Sequence, residues 1–132
     1  MNPFSIALTV RDYELDIQGI VNNAVYQNYL EHARHQYLQH HNIDFSDLTA
    51  KGIILVVKKI EMDFKASLRS NEQFKVEVTT VQEGHLKLIF KQKIIRLSDN
   101  KVCLTANVMG VCLINGKLVK PDTVAELATI IS

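Results

Sequence analysis

The hydrophobic period of this chain changes once, at Gly52, and that change limits what it can fold into. Before Gly52, residues 24–41 repeat apolar side chains at helical spacing: Val25 or Tyr26, Tyr29 or Leu30, Ala33, and Tyr37 or Leu38. They make one stripe on one helix of about five turns. After Gly52 the period is two. Residues 53–64, 73–81, 86–97 and 102–114 read as four strands. In the second, Phe74, Val76 and Val78 oppose Lys75 and Glu77; in the third, Leu86, Leu88, Phe90 and Ile94 alternate with Lys87, Lys91 and Lys93. Such strands bury one face and wet the other. A helix with one stripe and a sheet with one apolar face satisfy each other, which predicts an α+β layer with the helix across the concave face of a curved antiparallel sheet.

Local signals order the pieces. Residues 4–10 form an earlier strand with Ile6, Leu8 and Val10 on one face, and residues 11–23 are polar and turn-like. Asn22 or Asn23 caps the helix, and Asn42 stops it. The segment 43–51 is a connection with room for one helical turn. Glu83-Gly84 and Ser98-Asp99-Asn100 are short turns, so the strands they join are sequential neighbours. Asn115-Gly116 is a two-residue hairpin signal that folds residues 117–119 back as a short edge. Pro121 ends that edge, and a short helix is expected from Thr123.

The totals exclude several functions. A chain of 132 residues with 47% apolar and 22% charged content suits one globular domain, 1–132. A net charge of +1 argues against nucleic acid as the main partner. Cys103 and Cys112, nine positions apart in one strand, lie roughly 30 Å from each other and cannot pair, which fits a cytoplasmic location. No basic-then-apolar leader and no run near ~20 apolar residues occurs, so neither a secretory signal nor a membrane span is expected.

The most specific segment is 16–26, DIQGIVNNAVY. Asp16 and Gly19 occupy the first and fourth places of a type I turn. The asparagines follow at a helix start, where unpaired N–H groups and the positive end of the dipole gather. A carboxylate beside such a terminus suits acyl transfer.

Residues 10–34, VRDYELDIQGIVNNAVYQNYLEHAR, resemble the opening of hot-dog-fold acyl-thioester hydrolases, the 4-hydroxybenzoyl-CoA thioesterase and YbgC-like family. The shared pattern is Asp16, Gly19, Ile20, Val21 and Tyr26, with Glu31, Ala33 and Arg34 along the helix. The D-x-x-G-x-V-N-N-A-x-Y form is also similar to plant plastid acyl-lipid thioesterases. The stretch 56–69, with Val56-Val57-Lys58-Lys59-Ile60-Glu61 and Ala66, Leu68 and Arg69, is similar to the family's second strand and following loop.

The resemblance implies a hot-dog fold, a sheet wrapped around one long helix. It also implies a homodimer or homotetramer with sites between subunits, and hydrolysis of acyl-CoA or acyl-carrier-protein thioesters without a cofactor. It places the nucleophile or general base on Asp16 and the oxyanion donors in the first helical turn, with Asn23 foremost. Many YbgC-like members carry His where Asn23 stands, so no histidine role transfers; Asn23 leans the expected substrate toward fatty acyl thioesters. Gly19 lets the backbone pass close to the acyl group. Tyr26 is a candidate pocket wall, and Lys58, Lys59, Arg69 and Arg96 are candidates for the phosphates of CoA.

Other chemistries fit less well. Hydratases of this fold resemble one another in an Asp followed five residues later by His; that position here is Val21. A catalytically silent thioester-binding module is the alternative to an enzyme. His32, His35, His40 and His41 lack the Cys or carboxylate company of a metal site and read as a polar helix face, on which Glu31 and His35 are spaced to pair.

Overall fold

The computed structural model describes residues 3–131. Its elements follow the expected order: β1 (Phe4–Thr9), α1 (Asn23–His40), α2 (Phe45–Ala50), β2 (Ile53–Phe64), β3 (Gln73–Glu83), β4 (Lys87–Arg96), β5 (Lys101–Ile114), β6 (Lys117–Val119) and α3 (Ala125–Ala128). Single 3-10 turns, Asp12–Glu14 and Pro121–Thr123, follow β1 and precede α3. The strands form one antiparallel sheet in the order β1-β3-β4-β5-β2. β6 pairs with β5 from Cys112 to Ile114, just beyond Val111, the partner of the first β4 residue Lys87.

The alternation places the core. Phe74, Val76, Val78, Leu88, Phe90, Ile94, Leu104, Val108 and Cys112 form one cluster with Tyr26, Tyr29, Leu30, Ala33, Tyr37 and Leu38 of α1. Each large apolar side chain buried there contributes roughly 1.5–3 kcal/mol. Asn22 proves to be the cap, accepting from the Ala24 N–H at 3.0 Å. Asn42 ends the helix in the left-handed region at φ 61°. Asn115 and Gly116, at φ 50° and 82°, make the expected hairpin turn.

Several details differ from expectation. β1 stops at Thr9, although Val10 continues the pairing by exchanging backbone hydrogen bonds with Asn71 and Glu72. The connection at 43–51 holds a six-residue helix, α2, capped by Asp44. Leu86 lies outside β4 and is exposed, because Gly84, at φ 63°, already turns the chain. Among the described residues no ion pair joins Glu31 to His35; the His35 ring instead meets Phe45 edge-on, with centroids 5.5 Å apart. Lys58 is displaced by an irregularity in the β2–β5 register between Val57 and Lys59. Both cysteines are buried and free.

The segment 65–72 ties the sheet to the helix start. The N–H groups of Lys65 and Ala66 donate to the Cys103 carbonyl at 2.8 and 3.1 Å, and the Leu68 carbonyl accepts from Val21 N–H at 2.9 Å. The Leu68 N–H donates to the Tyr26 hydroxyl at 3.1 Å. This segment fixes where the 11–23 loop sits.

Candidate active site

The loop between β1 and α1 closes on itself. Asp16 N–H donates to the Ile20 carbonyl at 2.8 Å, Gly19 N–H donates to the Asp16 carbonyl at 3.1 Å, and Leu15 bridges Val21. Gly19 sits at φ 81°, a conformation L side chains resist, and a Cβ there would meet nothing within 4 Å. The turn itself therefore favours glycine here, and the space in front of it is open.

The turn orients a carboxylate. Asp16 Oδ1 accepts from the N–H groups of Gln18 at 2.8 Å and Ile20 at 3.3 Å. Oδ2 takes no hydrogen bond among the described residues, leaving one oxygen of a half-buried, oriented carboxylate for chemistry.

Glu14 fixes the loop to the helix. Its Oε1 accepts from the Tyr29 hydroxyl at 2.7 Å and from the Arg11 N–H at 2.8 Å, and its carbonyl accepts from the Asn22 N–H at 3.0 Å. Burial first, and then the hydrogen bond to Glu14, push the Tyr29 phenol well above its ordinary pKa, so it remains a donor. Beyond this clamp the helix begins. The Asn22 side chain occupies the Ala24 N–H, while the Asn23 N–H finds no partner among the described residues.

The other sequence candidates divide by place. Arg69 bridges Ile20 and remains exposed, so Asp16, Gly19, Asn23 and Arg69 gather at one end of the molecule. Tyr26 lies there too, but buried, its hydroxyl accepting from Leu68 and its ring against Tyr29 and Phe64. It braces the site from behind. Lys58 and Lys59 stand six and five residues before Phe64 on β2, roughly 17–20 Å along the strand from it; Lys59 lies 4.0 Å from Glu61. Arg96 is committed to Asp99, through Nε at 3.0 Å and Nη2 at 2.8 Å, and to the Ser67 carbonyl. Val21, where a hydratase would carry its histidine, is core. No group of three or more His, Cys, Asp and Glu that could hold a metal occurs among the described residues, and no helix among them is long and apolar enough to cross a membrane.

A family model described as the thioesterase-like superfamily matches residues 10–128, nearly the whole chain. The chain belongs to this superfamily. Within it, the chain is 36% identical over 110 residues to the chloroplastic acyl-acyl carrier protein thioesterase ATL3 of Arabidopsis thaliana, covering 83% of this chain and 58% of that protein. The chain thus spans little more than half of that plant relative. It is 28% identical over 115 residues to the acyl-CoA thioester hydrolase YbgC of Escherichia coli, covering 86% and 85% of the two chains. The solved structure of an Aquifex aeolicus protein superposes with TM-score 0.84 at 26% identity, covering 95% and 98%. A Synechocystis 1,4-dihydroxy-2-naphthoyl-CoA thioesterase superposes at 0.83 with 16% identity, covering 90% and 89%, which speaks for the shared thioesterase-like fold alone.

Two residues of the site lay outside the sequence reading of roles. Glu14 has a visible signal, standing three residues after Arg11, whose N–H it caps. Arg34 continues the apolar stripe from Leu30 and Ala33 to Tyr37 and is itself buried. A charge on a buried helical face was its signal.

Proposed function

We propose that the protein hydrolyses acyl thioesters of CoA or acyl carrier protein, with Asp16 as base or nucleophile and the first turn of α1 as the oxyanion site. The observation that carries this reading is the Asp16 carboxylate, oriented through one oxygen by two backbone N–H groups, with no hydrogen bond to the other oxygen among the described residues. The Glu14 clamp fixes its loop against a helix start that offers the Asn23 N–H. Superfamily membership, with the activities named for the plant and YbgC relatives, supports the same chemistry.

As base, Asp16 takes a proton from water while the water oxygen bonds to the thioester carbon. Collapse of the tetrahedral adduct breaks the C–S bond, and the thiolate recovers a proton. As nucleophile, Asp16 bonds to the carbon and expels the thiolate; water then cleaves the anhydride and restores the carboxylate. In both routes negative charge builds on the carbonyl oxygen, and the dipole and free N–H at the helix start stabilise it. In this reading exposed Arg69, beside Ile20, meets the pantetheine or phosphate portion, and Lys58 and Lys59 on β2 remain candidates for the phosphates.

The reading includes a second copy. One edge of β2 pairs with β5, and no strand pairs with the other among the described residues. That edge spans twelve residues and exposes Ile54 and Val56 at 47% and 41%. A long apolar edge invites a partner strand, and edge-to-edge pairing of two copies would satisfy it. Thiol release from a panel of acyl-CoAs and acyl carrier proteins tests the activity: release above the uncatalysed rate supports it. Saturable binding without turnover would replace the enzyme with a thioester-binding module.

A further inference from the structure

Arg34 is 8% exposed, and its one hydrogen bond among the described residues runs from Nη1 to Gln92 Oε1 at 3.1 Å. Gln92 in turn donates to the Leu30 carbonyl at 3.0 Å, which fixes its amide and with it the guanidinium. No ion pair neutralises Arg34 among the described residues; Glu31 acts on it only at longer range, and burial lowers the guanidinium's pKa. A guanidinium carries several N–H donors in a rigid fork, and the donors that Gln92 leaves over are not sealed from solvent, so a ligand could take them.

The space it faces is a groove. One cavity of about 270 Å³ lies between α1, α2 and the sheet, walled by Leu38, Phe45, Leu55, Leu88, Phe90 and Val108. A second, of about 170 Å³, lies between α1 and β2 beside Gln27, Leu30 and Ile60. Glu31, Arg34 and Val57 line both. The groove therefore starts about one helical turn past Asn23, meets a donor and an acceptor midway, and ends among apolar side chains. Asn23 and Arg34 are eleven residues apart on α1, roughly 16 Å along the axis.

We propose that this groove takes a long acyl chain bearing a mid-chain hydroxyl, which accepts from Arg34 and donates to Glu31. The proposal rests on the thioesterase reading for the direction of the chain, with its thioester at the helix start. Glu31 is the reason for a hydroxyl and not a second carboxylate: a carboxylate would face Glu31 as a like charge, whereas a hydroxyl serves both partners. The apolar walls beyond Arg34 are the reason for placing the oxygen within the chain and not at its end.

The test compares ricinoleate with oleate, which differ by that hydroxyl, in calorimetric binding to the full chain. The same pair as CoA thioesters is then followed by thiol release. Ricinoleate should bind at least about tenfold tighter, about 1.4 kcal/mol. Arg34→Met should bring the two affinities within about twofold, and Glu31→Gln should lose part of the difference. Glu31 is exposed, so E31Q gives a reading even where R34M fails to fold. Equal affinities in the unaltered protein, binding of neither acid, or an E31Q protein with the full preference would overturn the proposal. A binding preference without thiol release would leave the groove standing and remove the thioesterase reading.

Discussion

The Tyr29 hydroxyl donates to Glu14 across 2.7 Å, joining the middle of the first loop to the second turn of the long helix. The two residues are fifteen positions apart, and the turn carrying Asp16 lies between them. A double-mutant cycle on Tyr29→Phe and Glu14→Gln should give a coupling of about 1 kcal/mol in denaturant melts. Y29F should also lower kcat/KM more than KM changes, because it loosens the loop that aims Asp16. Additive effects on stability would show that the contact does not act as a pair.

Gly19 tests whether the turn or the substrate sets its identity. At φ 81° with open space before it, Gly19→Ala should cost about 1–2 kcal/mol from backbone strain alone. Gly19→Asn should recover most of that loss, because Asn tolerates the left-handed region. Thermal or urea melts read both variants. Full activity in a stable G19N protein would show that no acyl group presses on this position.

Strongly alkaline pH should destabilise the protein. Burial raises the phenol pKa values of Tyr26, Tyr29 and Tyr37 above the usual 10.0. A group whose folded pKa is raised contributes stability that is present below its unfolded pKa and lost as pH climbs past it. Stability should therefore be flat toward pH 10 and fall above it. Tyrosinate absorbance from these three rings should appear together with loss of structure, not before it.

At the acid end, the Arg96 fork holds Asp99 down to about 2, with the Lys101 N–H assisting. Carboxyl-carbon NMR should show that titration midpoint. Arg96→Met should move it up toward the ordinary range, and an unmoved midpoint would remove Arg96 as the cause.

The free edge of β2 predicts the assembly. Sedimentation should give a dimer or tetramer. The pair I54K and V56K puts charges on the edge at which two copies would pair, which should shift the protein to monomer and reduce activity if the site is shared between subunits. A monomeric unaltered protein with full activity would contradict edge pairing.

The sequence carried the fold where its signals were periodic. The stripe from Tyr26 to Leu38 and the alternation of Phe74, Val76 and Val78 report which face is buried, so helix, strands and layer were readable. The crossed order, with β1 beside β3 and β2 beside β5, was not, because alternation tells which face a strand buries and not which neighbour it meets. Asp16 and Asn22 announced their turns through local chemistry. Glu14 and Arg34 carried local signals, but which partners they meet, Tyr29 and Gln92, was silent, since residues fifteen and fifty-eight positions apart meet only once the helix lies in the sheet. Lys58 and Lys59 looked equivalent to Arg69 as cations, and only the run of β2 separates them from the turn.

The most direct measurement is kcat/KM of Asp16→Asn against the unaltered protein on the best acyl thioester of the panel. Asn keeps an oxygen for the Gln18 and Ile20 N–H groups, so the melting temperature should hold within a few degrees while kcat/KM falls at least about a hundredfold. A folded D16N protein that releases thiol at the unaltered rate would contradict the assignment of the chemistry to Asp16.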